Sequence, residues 1–167
     1  MFHIVESNEG IQTVVSLAQV IWNEHYTPII GSEQVDYMLA SFHSKQAIHE
    51  QIHLEGYQYY LIYADVNTVS EAVGYIGFKI ETNTLFLSKL YVLSSQRGSG
   101  IGKQAMEFIK KLASEHEAQS IQLTVNKDNS DSIAAYYKFG FNKIEEICVD
   151  IGEGYVMDDF RMEMLLN

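Results

Sequence analysis

The chain has 167 residues, 47% hydrophobic and 20% charged, which describes one soluble globular domain able to bury a proper core and excludes general disorder. A formal net charge of −11 argues against nucleic acid as a default partner, because a phosphate backbone selects lysine and arginine. The same charge is compatible with a cationic substrate such as an amine or polyamine, but the plainer reading is a solvated acidic surface that favours solubility.

Residues 2–6 are short and apolar-rich and predict a first strand. No basic stretch leads into an apolar one there, and no run approaches the ~20 apolar residues that span a bilayer, so a cytoplasmic protein without a membrane partner is expected. Over residues 11–26, Val14, Val15, Leu17, Ala18, Ile21 and Trp22 recur at helical spacing, and Pro28 ends the run. Ser32 stands as N-cap of a second helical stretch that carries Val35, Met38, Leu39, Phe42, Ile48 and Ile52 and closes at Gly56. Residues 57–64 and 72–81 predict two strands with 65–71 as their connection, and Asn83 marks the turn into a third apolar run over 85–92.

That run ends in Ser94-Ser95-Gln96, after which Arg97-Gly98-Ser99-Gly100-Ile101-Gly102 opens a helix with Ile101, Ala105, Phe108, Ile109 and Leu112 on one face. Strand, glycine-rich turn and helix, in that order, make an anion cradle. Glycines let the backbone come close to a phosphate, and the first-turn N–H groups of the helix lack intrahelical partners. The positive end of the helix dipole adds to them, and a pyrophosphate suits the result.

Residues 120–125 predict a strand, 130–139 a short helix with Gly140 just past its end, and 141–151 and 155–166 two final strands. Cys148 is the one cysteine, which excludes an intramolecular disulfide, and its neighbours Ile147, Val149 and Ile151 predict a buried structural thiol. Asp158 and Asp159 sit side by side in an otherwise apolar strand. Two readings stand for them: a carboxylate that binds or deprotonates an amine, or a bulge or edge-strand charge that blocks aggregation. His49 and His53 are the only helix-spaced pair among six histidines, and no metal site is expected. The element order implies a mixed sheet covered by helices, an α/β or α+β architecture.

Taken together, these residues resemble the GCN5-related N-acetyltransferase superfamily. The resemblance covers the whole element order and is specific over residues 85–141. The superfamily's acetyl-CoA signature, Gln or Arg followed by x-x-Gly-x-Gly/Ala, is matched by Arg97-x-x-Gly100-x-Gly102. A second register, Ser95-x-x-Gly98-x-Gly100, has the glycines without the leading basic residue. Asn129 through Phe141 is similar to the superfamily's Asn-x-x-Ala-x-x-x-Tyr-x-x-x-Gly-Phe pattern, with Ser132 in place of the usual Ala.

The resemblance implies the acyl-CoA N-acyltransferase fold: a mixed, mostly antiparallel sheet of six to seven strands flanked by four helices, in a single domain over residues 1–167. It implies acetyl transfer from acetyl-CoA, as cosubstrate, to a primary amine by direct attack. The cofactor would lie in a cleft where the strand of Leu90–Val92 splays from residues 120–125. Backbone groups of Leu90 and Val92, either side of Tyr91, would pair with the pantetheine arm, and an N–H near Val92 would polarise the thioester carbonyl. Amides of Arg97, Gly98, Ser99, Gly100, Ile101 and Gly102, and the helix start at Lys103, would take the pyrophosphate. The Arg97 side chain either meets a phosphate or is simply solvated. Asn129 is read as a cofactor contact, as a cap before the following helix, or as both.

Tyr136 aligns with the superfamily's tyrosine that faces the cofactor sulfur. A thiol pKa near ~8.5 against ~10 for a phenol makes it a workable acid for the leaving thiolate; a core aromatic is the alternative reading, with Tyr137 the neighbour to be told apart from it. The general base is open. Many relatives carry a glutamate on the strand equivalent to 85–92, where this chain has Phe86, Leu87 and Ser88. Asp158 or Asp159, Glu24 or His25 near the end of the first helix, and a water relay are the alternatives. GYVMDDFRME and the Trp22…Tyr26…Ile30 stretch are similar to PaiA-like polyamine acetyltransferases, which makes a small-molecule amine the leading acceptor. A protein lysine or N-terminus, or a non-catalytic acetyl-CoA sensor, are the alternatives. A homodimer follows by analogy with the fold alone.

Overall fold

The computed structural model describes the whole chain, Met1–Asn167. The elements in order are β1 (Phe2–Ile4), α1 (Asn8–His25), α2 (Thr27–Ile30), α3 (Ser32–Phe42), α4 (Lys45–His53), β2 (Tyr57–Val66), β3 (Val69–Glu81), β4 (Thr84–Val92), α5 (Ile101–Glu115), β5 (Ser120–Asn126), α6 (Ser130–Phe139), β6 (Asn142–Gly152) and β7 (Tyr155–Leu165). The sheet has seven strands in the order β1-β2-β3-β4-β5-β7-β6. The β1–β2, β2–β3, β5–β7 and β6–β7 pairs are antiparallel, and β4–β5 is parallel.

Six helices stand where four were expected. Pro28 does not only end α1; it sits in the first turn of the short α2, where its missing N–H costs nothing. The long stretch after Gly31 breaks in two because Ser44 starts a new helix, its hydroxyl accepting the Ala47 N–H at 3.0 Å. Ser32 is the first residue of α3 and not its cap. Gly31 takes that place with φ of 86°, and its carbonyl accepts from Val35 N–H at 3.1 Å. The β2–β3 hairpin is tighter than expected, with only Asn67 and Thr68 between the strands, both at positive φ.

The chain forms two compact units: residues 1–79 with 89–105, and residues 80–88 with 106–167. In the first, the apolar stripe of α1 (Ile11, Val14, Ala18, Ile21, Trp22) is buried together with Val35, Leu39, Ile48 and the β2–β3 residues Tyr59, Leu61, Tyr75 and Ile76. In the second, Ile121, Leu123 and Val125 of β5 alternate inward, as do Met162 and Met164 of β7, with Met106, Ile109 and Phe141 completing the core. β6 is the outermost strand and is exposed along nearly its whole length. Cys148 is therefore exposed, not buried: it lies on a strand with nothing packed over it. No helix is long and apolar enough to cross a membrane.

Candidate active site

The first unit holds the glycine turn. After β4, Leu93 N–H returns to Val73 C=O at 2.8 Å, and a single 3₁₀ turn over Ser94–Gln96 follows. The Arg97 amide is spent inside that turn, on Ser94 C=O at 3.2 Å, and Ser99 Oγ donates to Gln96 C=O at 2.5 Å. Ser94 Oγ donates to the Glu24 carboxylate at 2.9 Å, so Glu24 ties the end of α1 to the turn. Gly98 and Gly100 take φ of 77° and 86°, which L side chains rarely adopt. The first intrahelical bond of α5 runs from Gln104 N–H to Gly100 C=O at 3.0 Å, which leaves the amides of Ile101, Gly102 and Lys103 ahead of it with no helical acceptor. A Cβ added at Gly98, Gly100 or Gly102 would meet nothing within 4 Å. Open space over amides without a helical acceptor, at a helix N-terminus, fits a pyrophosphate, and so fits acetyl-CoA.

On β4, Leu90, Tyr91 and Val92 are half-buried. Gly74 of β3 lies against them so closely that an added Cβ would stand 2.3 Å from the Tyr91 carbonyl oxygen. The Tyr91 ring joins a buried aromatic group: Trp22 at 5.6 Å between centroids, Tyr75 at 5.4 Å and Tyr26 at 6.1 Å, with Trp22 stacked on Tyr26 at 4.3 Å and His43 tilted against Trp22 at 4.8 Å. Four polar atoms here, Trp22 Nε1, both ring nitrogens of His43 and the Tyr75 hydroxyl, are buried without a hydrogen bond. Trp22 lies near the Tyr75 hydroxyl, and the Met38 backbone near His43, without reaching hydrogen-bond geometry. Burial first, and the charge of Lys89 second, hold the His43 imidazole well below its usual range, so it is neutral.

Lys89 itself is buried on β4, with Nζ donating to Gln51 Oε1 at 3.2 Å and lying over the Tyr59 ring at 5.3 Å. Tyr59 donates to the same Gln51 oxygen at 2.5 Å. Burial brings the Lys89 ammonium down to about 8. Sequence reasoning passed over this residue, although its place two and four positions beyond Leu87 and Leu85 puts it on their buried face.

The second unit holds the rest. Its parallel ladder between β4 and β5 runs only over Thr84–Ser120, Leu85–Ile121 and Phe86–Gln122, yet β5 continues to Asn126. Beyond Gln122, one edge of β5 carries no strand partner, which is where a main-chain ligand can pair. At the end of β5, Asn129 is buried and acts as cap: its Oδ1 accepts the Ser132 N–H at 3.4 Å, and its own N–H goes to Asn126 C=O at 2.9 Å. Tyr136 is half-buried, its ring edge-on to the buried Phe141 at 5.5 Å, whereas Tyr137, the next residue of α6, is 49% exposed. Gly140 closes α6 in the left-handed region, within 3.6 Å of Met164 Sδ by its would-be Cβ, so the C-terminal end of the helix lies on the Met164 face of β7.

Asp158 and Asp159 do not sit at a bulge or an edge. β7 runs between β5 and β6, and its register with β5 is continuous from Asp159 to Leu165. Asp158 forms an ion pair with Lys127 and Asp159 is buried. The Asp159 carboxyl is pushed up to about 6, by burial first and the Asp158 charge second. His25 is only half-buried at the end of α1, its ring edge-on to Tyr26 at 4.9 Å.

In the first unit, a glycine-turned helix start with unpaired amides defines a place for a pyrophosphate-bearing cofactor; in the second, a strand edge without a partner leads into a tyrosine-bearing helix. The model of the acetyltransferase (GNAT) family matches residues 18–141, and the chain belongs to that family. It is thus an acetyltransferase with acetyl-CoA as cosubstrate. The chain is 25% identical over 140 residues to a spermidine N(1)-acetyltransferase of Thermoplasma acidophilum, covering 84% of this chain and 86% of that one. Its fold is similar to that of a PaiA N-acetyltransferase from the same organism, solved in complex with coenzyme A, at a TM-score of 0.77 and 23% identity over 99% of both chains. A GCN5-related N-acetyltransferase from Rhodopseudomonas palustris also gives a TM-score of 0.77, at 17% identity over 99% of this chain and 95% of that one.

Proposed function

We propose that this acetyltransferase acts on a small-molecule primary amine of the polyamine class. The observation that carries the donor side is the open amide row of Ile101, Gly102 and Lys103 ahead of the first α5 hydrogen bond, flanked by Gly98 and Gly100 at positive φ. These amides, with those of Gly98, Ser99 and Gly100, hold the pyrophosphate, and the exposed Arg97 side chain adds a cation. The backbone of Leu90 and Val92 pairs with the pantetheine arm, with Tyr91 between them fixed by its aromatic neighbours. Bound there, acetyl-CoA supplies the acetyl thioester. Tyr136 gives its phenolic proton to the departing thiolate, and the buried cap Asn129 orders the start of its helix. The acceptor class is supported by the net charge of −11 and by the named activity of the Thermoplasma relative.

The test is thiol release from acetyl-CoA with polyamines, amino acids and lysine peptides, for wild type and Tyr136→Phe. Turnover on polyamines, falling by about 100-fold in Tyr136→Phe with acetyl-CoA binding intact, is expected. Turnover on lysine peptides alone would overturn the polyamine reading, and binding of acetyl-CoA without product on any acceptor would make the chain a sensor.

A further inference from the structure

Carboxylates this far inside a protein are as a rule paired, because an uncompensated charge in a poorly solvated place is costly. Asp159 is not. It is 4% exposed, in the second unit, directly opposite Asn126 of β5 and Ile147 of β6. The causes of its raised titration are burial and another negative charge, with no cation among them. The cations around it are engaged elsewhere. Lys127 pairs with Asp158, and Arg161, two residues along on the same face of β7, is held by Glu145 of β6 at 3.0 Å. Glu163, next on that face, accepts from Gln122 of β5 at 2.6 Å, and Thr124 and Asn126 of β5 bring no charge.

We propose that Asp159 receives the ammonium group of the acceptor and takes its proton. The proposal rests on the amine-acetyltransferase reading given above. An alkylammonium supplies the one thing the site lacks, a compensating cation, and binding it relieves the cost of the buried charge. Placement agrees. Met162 and Met164 point to the face where α6 ends, and the alternation of β7 puts Asp159 on the other face, one strand from the end of β5. The helix that carries Tyr136 and the Asp159 side chain thus lie on different faces of the β5–β7 pair, and each handles its own proton. A carboxyl near 6 is ionised at neutral pH and still a better base than an exposed aspartate.

The proton balance closes. An N–H bond of the ammonium breaks, its electron pair stays on nitrogen and the proton passes to the Asp159 carboxylate. The neutral amine forms the C–N bond as the C–S bond breaks with its electron pair going to sulfur. Tyr136 protonates the thiolate and is restored by the second nitrogen proton, while Asp159 returns its own to solvent.

The test follows kcat/KM for acetyl-CoA and spermidine from about pH 5 to 9 in wild type, D159N, D159E and D158N. In D159N we expect a loss on the order of 100-fold at neutral pH and disappearance of the acidic limb, with the fold intact by melting temperature. D159E keeps a limb. D158N, on the other face, keeps activity and moves the limb to lower pH, because the charge that raises Asp159 is gone. Wild-type kcat/KM and limb in D159N would overturn the proposal. If no amine is acetylated, the acetyl-transfer reading fails by itself, and calorimetric titration of spermidine then decides Asp159 separately. At least ~10-fold weaker binding to D159N supports the assignment, and equal affinity overturns it.

Discussion

Lys89 shows how much one buried charge can weigh. Free lysine titrates at 10.5 and this one at about 8, so the folded state favours the neutral amine. Below pH 8 lysine is charged in both states and the full burial cost stands; between 8 and 10.5 the folded chain holds fewer protons than the unfolded one, and stability rises with pH. Lys89→Met is therefore expected to raise stability at pH 7 by on the order of 3 kcal/mol, a gain that fades as pH approaches the unfolded value. Urea melts of both proteins across that range check it, and a gain independent of pH would contradict the assignment. Tyr75 gives a second case. Its hydroxyl is buried without a hydrogen bond, and burial pushes its titration well up. Tyr75→Phe removes the orphan and keeps the ring against Tyr91, so a gain of about 1–2 kcal/mol is expected by the same melts. Neither effect is legible in the sequence. Lys89 sits at an inward position of an alternating strand, which flags it, but its partner Gln51 comes from α4, far along the chain. The His43–Trp22–Tyr75 group likewise joins α1, β3 and the end of α3, a meeting that no local pattern announces.

Among the elements, two glycines in the same unit separate strain from clash. At Gly100 an added Cβ meets nothing, so Gly100→Ala costs only the left-handed backbone, about 1–2 kcal/mol, and, if the turn holds the pyrophosphate as proposed, its larger expected effect is weaker acetyl-CoA binding through the displaced amides. At Gly74 the Cβ would stand 2.3 Å from the Tyr91 carbonyl oxygen, which is backbone and cannot swing aside. Gly74→Ala must push β3 from β4, and a loss of about 3 kcal/mol or more is expected, read as a fall in melting temperature. The strand–turn–helix unit that carries Gly100 was plain in the sequence because glycines, a polar turn and a helical stripe are contiguous there. Gly74 was not, since only the neighbouring strand reveals what its missing side chain makes room for. The expected run of helix to Gly56 failed for a local reason, a serine cap at Ser44 hidden inside continuous apolar spacing. The buried Cys148 failed for a topological one: alternating apolar residues look alike on a central strand and on the bare outer strand that β6 proves to be.

At the level of the whole molecule, the superfamily was legible because its signatures are contiguous, whereas no contiguous motif marks the contacts of the acceptor. Charge is the property that acts over the full surface. With 22 acidic against 11 basic side chains, the protein attracts a polycation from beyond contact distance, and attraction of that kind is screened over about 10 Å at 0.1 M salt. For spermidine, KM is expected to rise several-fold between low and about 0.5 M salt, while kcat stays level, because screening weakens encounter and binding and leaves the chemistry of the bound amine untouched. A monoamine carries fewer charges and should respond less. The pair of salt titrations thus separates two origins of acceptor preference. A KM for spermidine that ignores salt would place its recognition in short-range contacts such as that proposed for Asp159, whereas a steep rise shared by every polyamine would assign it to the acidic surface as a whole.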